Sequence, residues 1–140
     1  SLRDALRHAR QLSDWHGDLP AQAALARFID EGLFARHIRR ATKVYAERHE
    51  RLVSTLDRVF TGRLELVPSA AGLHLCALAA DDVDLAAVVA RAAHAGVAVQ
   101  TLSDLCGGSP VPGLVLGYGS IPVDRIEDGL AVLDGVWGSA

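Results

Sequence analysis

Acid–base, nucleophilic or metal chemistry in this chain would have to come from six histidines, two cysteines and one lysine among 140 residues. The histidines are His8, His16, His37, His49, His74 and His94. No two of them stand four apart on one helix face and none neighbours a cysteine pair, so zinc-site spacing is missing and no metal ligand is assigned. Cys76 and Cys106 form no C-x-x-C pair, and Cys76 lies in the apolar run LHLCALAA, where it reads as a small buried hydrophobe. His74 in the same run is expected to play a hydrogen-bonded structural role. Ser103 is followed by Asp104, but no G-x-S-x-G elbow presents a nucleophile. Gly117-Tyr118-Gly119 supplies two glycines of a dinucleotide fingerprint, and Pro122 occupies the place of the third. Lys43 stands in a basic run with Arg36, Arg39, Arg40, Arg48 and Arg51, where it reads as solvated rather than activated. No catalytic residue is assigned.

The elements that would position these groups are organised around residues 22–56. Leu25, Phe28 and Ile29 give a short helix an apolar face, Gly32 breaks it, and a long helix follows from Leu33. Phe34, Ile38, Ala41, Tyr45, Leu52, Leu56 and Val59 then form a helical stripe expected to pack along one side on a core. Upstream, Leu2, Leu6, Ala9 and Leu12 predict an amphipathic helix that polar residues 13–18 end, and Pro20 suits the first turn of the next helix. Downstream, Leu64–Leu66 predict a short strand, and Gly72 to Ala79 a central strand apolar on both faces. Asp81 and Asp82 are N-cap candidates for a helix over 83–95 that Gly96 closes. Strands are expected over 97–101 and 114–119, joined by a Gly- and Pro-rich loop over 103–113. Pro122 opens the last helix, with Ile126, Leu130, Leu133 and Val136 on its inner side. The fold class is therefore α+β: a small, mostly antiparallel sheet of three or four strands covered by helices.

Composition sets outer bounds. Half the residues are apolar and 22% are charged, as in a globular domain. The formal net charge of -3 argues against a chain that clamps nucleic acid by itself. The cysteines suggest no disulfide framework, which points to a cytoplasmic setting. No apolar run reaches transmembrane length, so no membrane partner is expected. The chain has no Met and its first residue already lies in a helical pattern, so a longer natural protein is expected.

A set of motifs carries a family resemblance. QAALARFIDEG (22–32), FARHIRR (34–40), AERHERL (46–52), GLHL (72–75), AGVAV (95–99), LVLGYG (114–119) and IEDGLAVL (126–133) occur in the order found in one family. The chain resembles, over nearly its whole length, the C-terminal small domain of the fold-type I aminotransferase-like module in MocR-type regulators. These members of the GntR superfamily join a winged helix to an aminotransferase-like body.

The resemblance implies several things. Residues 1–20 would be an interdomain helix and linker from a missing large domain, and 21–140 the small domain. Pyridoxal phosphate would be bound in the parent protein by a lysine upstream of this chain, with no cofactor residue here. The parent would be a homodimer that senses an effector and meets DNA only through its missing winged helix. In the aminotransferases a small-domain arginine pairs with the substrate carboxylate. Val115 stands at that position in LVLGYG, so Val115 and Tyr118 are the effector-facing candidates, and a valine cannot hold a carboxylate. Arg36, Arg39 and Arg40 are interface candidates. The chain alone is expected to catalyse nothing. Two alternatives stay open: the small domain of a genuine pyridoxal-phosphate aminotransferase, and a free-standing ligand-binding or dimerisation domain.

Overall fold

The computed structural model describes residues 2–13, 17–69, 72–80 and 82–138. Its elements run α1 (Leu2–Ser13), α2 (Leu19–Asp30), α3 (Leu33–Val59), β1 (Leu64–Leu66), β2 (His74–Ala79), α4 (Leu85–His94), β3 (Gln100–Thr101), β4 (Gly113–Gly117) and α5 (Ile126–Trp137). Short 3-10 turns over Ser103–Leu105 and Val123–Arg125 precede β4 and α5. The expected order of three helices, two strands, helix, two strands and helix is what forms. The chain divides into two compact units, Ser1–Ala41 and Thr42–Ala140, with the division inside α3.

The first unit holds α1, α2 and the opening turns of α3. Asp18 caps α2, its carboxylate accepting from the Ala21 N–H at 3.0 Å, and a proline sits in the first turn. Gly32 takes φ +72°, a left-handed conformation that costs glycine little, and so separates α2 from α3. Phe28 and Phe34 meet edge to face across this break at 6.3 Å. No residue of α1 or α2 is buried. Phe34 is 41% exposed and Ile38 45%, so the α3 stripe is not covered along its whole length as expected. Asp14, Trp15 and His16, where the expected break after α1 falls, lie outside the described residues, as does Asp81.

The second unit is a four-stranded antiparallel sheet in the order β1-β2-β4-β3. The register sets Leu75 opposite Leu116 and Ala77 opposite Leu114, and Thr101 also pairs with Leu114. These inward residues join Leu52, Leu56 and Phe60 from α3 and its end, Leu85, Val88 and Ala92 from α4, and Ile126, Leu130 and Leu133 from α5. Helices thus pack on one face of the sheet, as an α+β layer requires. Phe60 is fully buried and meets Trp137 edge to face at 5.3 Å.

Three local expectations are corrected. The cap of α4 is Asp84, not Asp82: its carboxylate accepts from the Ala87 N–H at 3.0 Å, so the helix starts later. Strand β3 is two residues rather than five, because Val97 still donates to the Ala92 carbonyl in the turn that closes α4. Pro122 precedes a 3-10 turn instead of opening α5, and Trp137 takes the buried place on the inner stripe, leaving Val136 half-buried.

Phe60→Ala is expected to destabilise the fold by about 3–5 kcal/mol, the usual cost of emptying a buried aromatic site. Gly129 lies inside α5, where an added Cβ would meet nothing within 4 Å. Gly129→Ala is expected to stabilise by up to about 1 kcal/mol through helix propensity. Urea unfolding of both variants checks the pair, and a destabilised Gly129→Ala would show that the position needs its glycine.

Candidate functional site

Alternation along β4 divides its side chains between two faces. Leu114 and Leu116 enter the core, whereas Val115 is only 8% exposed yet stands outside the core cluster. Its neighbours across the ladder are Cys76 on β2 and Gln100 on β3, so these three form one row on the outer face. On one side the next row is His74 opposite Gly117, and on the other side Gly113 pairs with Leu78, which pairs with Glu65. Cys76 and Leu78 are half-buried; His74, Gln100 and Glu65 are exposed. The glycines shape this surface. A Cβ on Gly117 would lie 3.4 Å from the His74 ring, and one on Gly113 would come within 2.7 Å of the Ala77 carbonyl oxygen.

The outer face is thus an apolar centre at Val115 with a hydrogen-bonding rim of Gln100 and His74. His74, for which a hydrogen-bonded structural role is expected, is exposed there. Gln100 is invisible in the sequence as a site residue, because only the ladder places it beside Val115. Strand alternation through Cys76 and Val115 is the one available signal.

Tyr118 belongs to the core, 4% exposed. Its hydroxyl donates to the Gly72 carbonyl at 2.8 Å and its ring meets His49 edge to face at 5.7 Å. Arg48 of α3 donates to the Gly119 carbonyl and lies over the Tyr45 ring at 5.7 Å. Together these contacts fix the segment that leaves β4 onto α3. Arg36, Arg39 and Arg40 are all exposed on the opening turns of α3. Lys43 is exposed on the same helix. A Schiff-base lysine needs desolvation or a neighbouring cationic group to become nucleophilic. Among the described residues no group of three His, Cys, Asp or Glu side chains could hold a metal ion. No helix among them is long and apolar enough to cross a membrane.

A scan of protein-family models finds no match. The structure aligns with LysN, the α-aminoadipate aminotransferase of Thermus thermophilus solved with N-(5'-phosphopyridoxyl)-L-leucine, at TM-score 0.83 and 21% identity. That alignment covers 96% of this chain and 35% of LysN. The kynurenine aminotransferase of Pyrococcus horikoshii aligns at TM-score 0.84 and 19% identity, over 95% of this chain and 33% of that one. The fold is therefore that of the small domain of fold-type I aminotransferases.

In sequence, the chain is 31% identical over 130 residues to a probable rhizopine catabolism regulatory protein, MocR, of Rhizobium meliloti, covering 92% of this chain. It is 25% identical over 118 residues to YhdI, an uncharacterized HTH-type transcriptional regulator of Bacillus subtilis (strain 168), covering 84% of this chain. Over most of its length the chain is therefore similar to a segment of these regulators, on an aminotransferase small-domain fold. It spans about a quarter of the length of these regulators, 26% and 25% respectively.

Val115→Arg is expected to leave the chain folded, because an arginine on the outer face can carry its guanidinium to water along its own stem. The expected loss is below about 1.5 kcal/mol, against several for an unpaired charge sealed in a core. Thermal melting measures it, and a loss of several kcal/mol would place Val115 in the core.

Proposed function

We propose that this chain is the C-terminal small domain of the effector-sensing module in a MocR-type transcription regulator, with residues 1–20 as helix and linker from the large domain. The observation that carries the proposal is one coincidence: similarity to regulators over 92% of the chain, on a small-domain fold whose outer sheet face places Val115 at its centre. The parent protein acts in the cytoplasm as a homodimer. It binds pyridoxal phosphate through residues outside this segment and meets DNA through a winged helix, also outside it. The outer face of the sheet closes over the ligand. Closure transmits a signal only if the ligand prefers the closed state, since a ligand indifferent to two states shifts neither. The exposed Arg36, Arg39 and Arg40 serve as contacts to the rest of the dimer, a role suited to forked, planar donors.

The test is DNA binding by the full-length regulator, measured alone, with pyridoxal phosphate, and with pyridoxal phosphate plus a panel of amines. Operator affinity is expected to change with the cofactor and again with one amine. Affinity indifferent to all of them, with turnover of an amino donor, would replace the regulator with an aminotransferase. In the same protein, joint Arg39→Glu and Arg40→Glu substitution is expected to weaken the dimer. In this chain it should change unfolding by no more than about 0.5 kcal/mol, as for other surface positions. An unchanged dimer would remove the interface role.

A further inference from the structure

We propose that the outer sheet face is selective for an uncharged hydrogen-bonding group on the ligand, an amide or a hydroxyl, and excludes a carboxylate or phosphate. The proposal rests on the effector-sensing reading and names the chemistry of that same surface.

Charge carries the argument. The residues that the register assigns to this face are Glu65, His74, Cys76, Leu78, Gln100 and Val115, with two glycines. None is a lysine or an arginine, and the one charged side chain among them is the Glu65 carboxylate. No arginine of the second unit is idle. Arg48 donates to the Gly119 carbonyl, and Arg91 donates to that of Val136 at 3.1 Å. Arg51 and Arg58 share Glu127, at 2.8 and 3.9 Å. Arg63 pairs with Asp134 at 2.5 Å, and Arg125 with Asp128 at 3.3 Å. A carboxylate brought onto Val115 would lose water and find no lysine or arginine among the residues the register assigns to this face.

A neutral group meets a different surface. The Gln100 amide offers both donors and an acceptor, and the His74 imidazole offers one of each when neutral. Both stand within a row of Val115, whose side chain supplies an apolar contact between them. Gly117 leaves room for the His74 ring to lie over the strand. The face therefore can exchange the hydration of a neutral polar group for protein hydrogen bonds, which it cannot do for an anion.

The experiment titrates the 140-residue chain, labelled with nitrogen-15, with two isosteric probes, propanamide and propanoate, and follows backbone amide resonances. Propanamide is expected to shift Cys76, Gln100 and Val115, with propanoate roughly tenfold weaker or silent, as an unpaired anion demands. Gln100→Leu and His74→Leu, both at exposed positions, should abolish the propanamide shifts while leaving the spectrum folded. Val115→Arg should reverse the preference. Propanoate shifting the native face as strongly as propanamide would overturn the proposal, and so would failure of both probes to shift it at concentrations where Val115→Arg responds to propanoate. Either outcome leaves the regulator reading standing. A regulator whose DNA binding ignores cofactor and amines would instead sink that reading without touching the probe preference.

Discussion

The pairing register of β2 with β4 is the constraint on which the rest of the second unit depends. Leu75 and Ala77 meet Leu116 and Leu114 on the face where α3, α4 and α5 pack. A slip of one residue would turn those side chains outward and bring His74, Cys76 and Val115 into the core. Gly113 helps to fix the register, since any Cβ there would collide with the Ala77 carbonyl. The same alternation that builds the core therefore builds the outer face. Val115 cannot be moved to the core side without moving Leu114 and Leu116 away from it.

Much of this architecture is legible in the sequence, because apolar periodicity reports burial. The inner residues of α5 at Ile126, Leu130 and Leu133, the break at Gly32 and the short β1 all follow from spacing alone. What escapes depends on tertiary context. Three neighbouring aspartates could each cap α4, and only the path of the chain after β2 selects Asp84. The run VAVQT has strand-like composition, but Val97 still donates to the Ala92 carbonyl in the turn that closes α4, and only Gln100 and Thr101 pair with β4. Phe34 and Ile38 keep the spacing of a buried stripe yet stay exposed, since periodicity states which side is apolar and not what lies against it.

The site is legible in a different and narrower way. Val115 stands out by its place in LVLGYG, a resemblance, and the ladder then supplies its neighbours. Tyr118, three positions further on, sits in the core with its hydroxyl held by Gly72. Its ring packs on His49 of α3, and Arg48 of the same helix holds the following carbonyl. The end of β4 is therefore anchored to the long helix, so a force applied at the outer face of β4 reaches α3 through contacts that already exist. Coupling of this kind needs no separate relay, only a packed strand and helix with two arrangements between which a ligand can choose.

The commitment of the arginines constrains that choice further. A protein can recruit a nearby cation to an anionic ligand only by giving up whatever the cation already holds. Here Arg63 would leave Asp134 and Arg51 would leave Glu127, each exchange trading one ion pair for another. Exposed pairs of this sort are worth at most about 1 kcal/mol. An arginine built on β4 itself would avoid the exchange, because its stem would start at the row where the ligand sits. With valine there, the hydrogen-bonding side chains beside it are Gln100 in its own row and His74 in the next.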